Sequence, residues 1–247
     1  MPRALLFAAI TAVATAAGGV AALRVKDRLH LILGLSGGLL LGLVGFDLLP
    51  TDFADQRHVG GVALTAVLIV AGFLILHIVE RIFATHGEHD DHGHGDNHGH
   101  DHGHLTGTIT AVAMGGHVFL DGVGLGAAFR VSTSLGIAVF TALVVHAFND
   151  GLNTVGFLIR NGHWSTRARL LVGVDAVFRL SGAAVGSYFL INANLESSYL
   201  SLFTGFVIYI ATSHILPEAH ARHPSRWTMV MTVLGVLVMW VVVANGA

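Results

Sequence analysis

The sequence predicts an all-α fold, a polytopic membrane bundle of eight transmembrane helices with both termini extracytoplasmic. Three observations carry that reading. Hydrophobic residues make up 53% of the 247 and charged ones only 11%, with a mean hydropathy of +0.71, outside the range of ordinary soluble domains. The apolar residues come in successive runs of about 20, each long enough to cross roughly 30 Å of hydrocarbon. The basic residues between the runs crowd onto alternate loops, as the positive-inside rule requires.

The runs cover approximately 4–23, 30–50, 59–83, 106–129, 132–159, 169–191, 197–217 and 227–245. Arg3 before an alanine-rich stretch gives the first the look of a signal peptide. Its length and the following Arg24, Lys26 and Arg28 favour a mature span instead. The loops after spans 1, 3, 5 and 7 hold nine basic residues: Arg24, Lys26, Arg28, Arg81, Arg160, Arg167, Arg169, Arg222 and Arg226. The opposite side holds Arg3, Arg57 and Arg130. That asymmetry puts both termini outside the cytoplasm and requires an even number of spans. The 31 glycines suit close helix packing through small faces such as Ser36-Gly37-Gly38 and Ser181-Gly182. The expected organisation is helices 1–3 in residues 1–85, a cytoplasmic loop at 86–104, and helices 4–8 in 105–247, completing a single domain with 1–85. The expected location is the plasma or inner membrane of the cell.

Composition narrows the chemistry. With no cysteine, disulfides and thiolate metal sites are excluded, leaving histidine, carboxylate, amide and thioether as ligands. A net charge of −2 without a basic, aromatic-interleaved patch gives no reason to expect nucleic acid. Histidine is the anomaly: 17, against 13 lysines and arginines. Eight of them (His86, His89, His92, His94, His98, His100, His102 and His104) lie with five acids and several glycines in the loop after span 3. Such a tract builds no core and reads as a disordered tether. Its imidazoles and carboxylates make it a loose, many-site chelator for Zn²⁺, Ni²⁺ or Cu²⁺, a buffer or sensor outside the bilayer.

Ionisable groups inside hydrocarbon cost a few kcal/mol or more unless partnered or functional. Here they recur as histidine followed four residues later by a carboxylate: His117 and Asp121 in span 4, His146 and Asp150 in span 5, His214 and Glu218 at the end of span 7. That spacing places both side chains on one helix face. Two such helices facing each other supply two imidazoles and two carboxylates, a complete first shell for Zn²⁺. A lone buried histidine is more often a packing residue. Two matching pairs, each followed by a glycine (Gly122, Gly151), favour a metal site, the glycine leaving room for a neighbouring backbone or a moving ion. Asp175 and Arg179 read as a buried ion pair, Asp47 as interfacial or else a pore-mouth carboxylate, and His77 with Glu80 as snorkelling side chains. Pro217 frees backbone carbonyls beside Glu218 and His220, which would form a polar cytoplasmic mouth.

The layout, Asp47-Leu-Leu-Pro50, His117-Val-Phe-Leu-Asp121-Gly122 and Ser213-His-Ile-Leu-Pro-Glu218 together resemble the ZIP (Zrt/Irt-like) metal transporters over essentially the whole chain. The resemblance implies zinc uptake into the cytoplasm, with the binding helices sliding or rocking against more static spans. It matches His117, Asp121, His146 and Asp150 to the principal transport site, and His214 to a histidine on the cytoplasmic exit path, which Glu218 would join. It also marks departures. Val118, Ala147 and, by a looser alignment, Ala183 stand where the family commonly places ligands of a second site, so a single ion is expected. Zn²⁺ is the expected substrate, and Fe²⁺, Mn²⁺, Co²⁺ and Cd²⁺ suit the same donors. Acid should compete with metal for the imidazoles below about pH 6.

The expected partners are the divalent metal ion, the lipid bilayer and a second copy in a homodimer. A cation-diffusion-type exporter is the nearest rival, but lacks support from charge asymmetry or a soluble C-terminal domain. A non-transporting metal sensor remains open. An intramembrane metallohydrolase would need three ligands, an open position and a general base, and no H-E-x-x-H signature is present, so no enzyme is expected.

Overall fold

The computed structural model describes residues 2–21, 29–54, 57–85, 102–158, 166–188, 192–222 and 225–246. Among these, eight helices follow one another: α1 (Pro2–Ala21), α2 (Leu29–Leu43, continued through Val44–Leu48 and Leu49–Phe53), α3 (Leu64–Thr85), α4 (His102–Val131), α5 (Thr133–Leu158), α6 (Thr166–Tyr188), α7 (Ala193–Tyr209, continued through Ile210–Ile215 and Leu216–Arg222) and α8 (Arg226–Gly246). All but α4 contain, within the described residues, a stretch long and apolar enough to cross a bilayer. The protein is an all-α helical bundle of the membrane type. Its surface is greasy where a soluble protein's would be polar: Val67, Val70, Leu74 and Ile78 on α3 and Val230, Val233, Leu237 and Val241 on α8 are exposed. Asp52, Asp121, His146, Asp150 and Arg179 lie inside.

Two features were not anticipated. Residues 58–63 form a two-strand hairpin, β1 (His58–Val59) against β2 (Val62–Ala63). Gly60 and Gly61 both take positive φ, 59° and 83°, the conformation that a two-residue hairpin turn demands. Helix α3 therefore begins at Leu64, five residues later than the apolar run suggests. In addition, α4 begins at His102, so His102 and His104 open a helix instead of closing the loop. His86, His89, His92, His94, His98 and His100 lie outside the described residues, as do Arg24, Lys26, Arg28 and Arg160 of the charge asymmetry.

Helices α2 and α7 are each widened just ahead of a proline. The Leu49 N–H reaches the Val44 carbonyl and the Leu216 N–H reaches the Ala211 carbonyl, five residues back instead of four. Pro50 and Pro217 explain the location. Each lacks an N–H and its ring crowds the carbonyl four residues earlier, so the preceding turn opens. Asp47 and His214 each sit in the widened turn, three residues before their proline.

Packing divides the helices into two groups. In one, α4 packs along α6 and α5 along α1, with α1 and α6, and α4 and α5, also touching. In the other, α2 packs along α8, α7 along α3, and α2 crosses α7. The principal pairings are unchanged if α1 is exchanged with α6, α2 with α7, α3 with α8 and α4 with α5, the signature of an internal repeat. Each main pairing is a close approach of backbones at glycine. Gly122 and Gly126 meet α6, Gly18 and Gly151 join α1 to α5, Gly38 and Gly235 join α2 to α8, and Gly72 and Gly205 join α3 to α7. Without a hydrophobic drive between helices in lipid, such small-residue contacts supply the dispersion energy of association.

Candidate metal centre

Helices α4 and α5 are separated by Ser132 alone. Its side chain accepts from the Leu135 N–H at 3.0 Å, capping α5. His117 lies 15 residues before Ser132 and His146 lies 14 after it. At 1.5 Å of rise per residue, both imidazoles stand about 21 Å from the hairpin, at the same depth. Helical side chains lean toward the N-terminus. Asp121 therefore leans back toward His117, and Asp150 back toward His146, so carboxylates a turn away on either side converge on the imidazole level.

The distances bear out the convergence. His117 Nε2 lies 3.0 Å from His146 Nε2. Asp121 Oδ2 lies 3.6 Å from His117 Nε2 and 4.0 Å from His146 Nε2, and Asp150 Oδ2 lies 3.6 Å from His146 Nε2. One donor atom from each of the four residues falls within 4.8 Å of every other, the one such group among the described residues. Two imidazole nitrogens bound tetrahedrally at about 2.05 Å would stand roughly 3.3 Å apart, so the pair needs almost no movement to share an ion. Asp121, His146 and Asp150 are buried and His117 is partly exposed. Asp121 Oδ2 and Asp150 Oδ2 accept no hydrogen bond, an arrangement that is costly in a dry interior unless a cation is near.

The glycine after each aspartate serves the neighbouring backbone. A Cβ at Gly122 would collide with the Arg179 carbonyl of α6, and one at Gly151 with the Thr15 carbonyl of α1. Val118, Ala147 and Ala183 are buried and apolar. Asn149 is buried too, its Oδ1 without a hydrogen bond.

Three residues gain roles that local sequence did not suggest. Arg179 does pair with Asp175, Nε to Oδ2 at 3.5 Å, and also approaches both site carboxylates, Asp121 and Asp150, at 3.8 Å each. Tyr199 of α7 donates from its hydroxyl to the Leu120 carbonyl at 2.8 Å, one residue before Asp121. Glu80 is not merely snorkelling. Its Oε2 meets His214 Nε2 at 2.7 Å and the Tyr209 hydroxyl donates to the same oxygen, tying α3 to the widened turn of α7. His214 therefore engages Glu80 across 134 residues of sequence. Asp47 stands in the opened turn of α2, partly buried, its Oδ2 shielded and without a hydrogen bond.

A bundle of apolar helices with a buried imidazole–carboxylate cluster defines a polytopic integral membrane protein with a candidate intramembrane site for a metal cation. The ZIP Zinc transporter family model matches residues 79–243. The chain belongs to that family, whose members are membrane transporters and not enzymes. It is 30% identical over 205 residues to zinc transporter ZIP9 of Xenopus tropicalis, covering 74% of this chain and 66% of that one. It is 30% identical over 154 residues to zinc transporter SLC39A7 of Canis lupus familiaris, covering 57% and 32%. It is 32% identical over 107 residues to zinc transporter zipt-7.2 of Caenorhabditis elegans, covering 41% and 23%. The chain thus spans between about a quarter and two thirds of the length of these relatives.

Proposed function

We propose that this protein carries a divalent transition metal, zinc first, into the cytoplasm through one site formed by His117, Asp121, His146 and Asp150. The observation that carries the reading is the convergence of these four donors, mostly buried, within 4.8 Å of one another on α4 and α5. Two neutral imidazoles and two carboxylates bring a bound Zn²⁺ to near-zero net charge, which lowers the cost of holding it at membrane depth. The same donors accept Fe²⁺, Mn²⁺, Co²⁺ and Cd²⁺.

The site lies wholly on one helix group, α1, α4, α5 and α6. The widened, proline-marked turns belong to the other. The site-bearing group shifts against α2, α3, α7 and α8, exposing the ion to one side and then the other. Eight spans, both termini outside and a homodimer in the plasma or inner membrane complete the reading. His214 and Glu218 line the cytoplasmic exit, and the histidines of 86–104 take up released ion.

Zinc binding by the purified protein against a chelator of known affinity tests the site. Wild type should hold one ion tightly and a His117→Ala/His146→Ala variant none at that affinity. Equal tight binding in the two would sink the assignment.

A further inference from the structure

Among the described residues Arg179 is the largest fully buried side chain, with 1% of its surface exposed. None of its guanidinium nitrogens makes a hydrogen bond. It is instead surrounded by carboxylates from three helices: Asp121 of α4, Asp150 of α5 and Asp175 of α6, at 3.8, 3.8 and 3.5 Å. The oxygens facing it on Asp121 and Asp150 are the Oδ2 atoms that also face the histidines. A divalent ion drawn to those oxygens would compete with the guanidinium for them.

Charge counting sets the limit. Three aspartates and one arginine sum to −2, which one divalent ion neutralises, whereas two would leave a buried excess of +2. Such an excess is prohibitive in a low-dielectric interior. The guanidinium also has somewhere to go, because Asp175 lies one turn away on its own helix. We infer that Arg179 is a tethered counter-cation of the metal site. It holds Asp121 and Asp150 when no ion is bound, and yields them to a single divalent cation by falling back on Asp175.

This inference rests on the proposed His117, Asp121, His146 and Asp150 site and gives Arg179 a positioning role, acting on the ion through the two carboxylates. An arginine that competes with the ion weakens binding and promotes release. It also spares the ion-free site two unpaired buried carboxylates during its return across the membrane.

The test compares wild type, Arg179→Lys and Asp175→Asn/Arg179→Met. The double variant keeps the cluster at −2 and removes both members of the Asp175–Arg179 pair together, and replacing a buried ion pair by neutral groups is generally tolerated. Zn²⁺ affinity is read by chelator competition on folded, monodisperse protein, with His117→Ala/His146→Ala as the blank for binding elsewhere. The double variant should bind Zn²⁺ at least tenfold tighter while its maximal uptake rate in proteoliposomes falls at least tenfold. Arg179→Lys, which keeps the charge, should stay within about threefold of wild type in both. Unchanged affinity in the folded double variant would overturn the inference and leave the site intact, as a purely structural arginine would. Undiminished tight binding by the blank would instead overturn the site itself. If the double variant does not fold, Arg179→Lys against Arg179→Gln decides: equal affinities in those two would also overturn the inference.

Discussion

Gly122 of α4 and Gly182 of α6 occupy each other's side-chain space: a Cβ on Gly122 would strike the Arg179 carbonyl, and one on Gly182 the Phe119 carbonyl. This interlock sets the approach of α6 to α4, and so carries Arg179 to Asp121. Gly122→Ala should therefore destabilise the protein by about 1–3 kcal/mol or more, since backbone cannot yield as a side-chain tip can. Gly116→Ala, on the same helix in open space, should be neutral or stabilising by up to about 1 kcal/mol. Thermal unfolding in detergent separates the two, and equal melting temperatures would show that the helices do not meet there.

Gly151→Ala should behave like Gly122→Ala, because Gly151 meets the Thr15 carbonyl in the corresponding α1–α5 contact. Matching losses of stability and of zinc uptake at the two glycines would support the internal repeat. A tolerated Gly151→Ala would contradict it.

Tyr199→Phe removes the hydroxyl that donates to the Leu120 carbonyl. The cost should be about 1 kcal/mol, read by unfolding. Zinc affinity should weaken by no more than about threefold, since the bond orients the helix without touching the ion. A loss as large as that of Asp121→Asn would place Tyr199 in the site itself.

His214→Ala breaks a clasp whose partners are nearly half exposed, at 46% and 43% for His214 and Glu80. Its stability cost should stay below about 1 kcal/mol. Affinity at the intramembrane site should remain within twofold while uptake slows, because the clasp ties α3 to a widened turn outside the site-bearing helices. An affinity loss equal to that of His117→Ala would merge the two sites and refute this division.

Much of this arrangement is legible in the chain, for reasons that differ between residues. His117 with Asp121 and His146 with Asp150 stand out because a four-residue spacing on an unbroken helix fixes a shared face. At His214 the same spacing does not show the contact made to α3. The widened turn over Ile210–Ile215 adds a residue to α7, and His214 meets Glu80 of α3 across 134 residues of sequence. Arg179 reads locally as the closed partner of Asp175. Only the glycine-mediated packing of α6 on α4, set by residues far apart in sequence, reveals its reach to Asp121 and Asp150. The hairpin at Gly60-Gly61 is hidden differently, since its short strands are flanked by apolar residues that merge with the helix after them.

The most direct test of the central claim is ⁶⁵Zn²⁺ uptake into proteoliposomes by wild type and by the His117→Ala/His146→Ala variant, matched for reconstituted, folded protein. Saturable uptake by wild type that the double substitution abolishes is the expected result. Uptake that survives the double substitution, or tight zinc binding by wild type with no flux at all, would contradict a carrier whose site lies between α4 and α5.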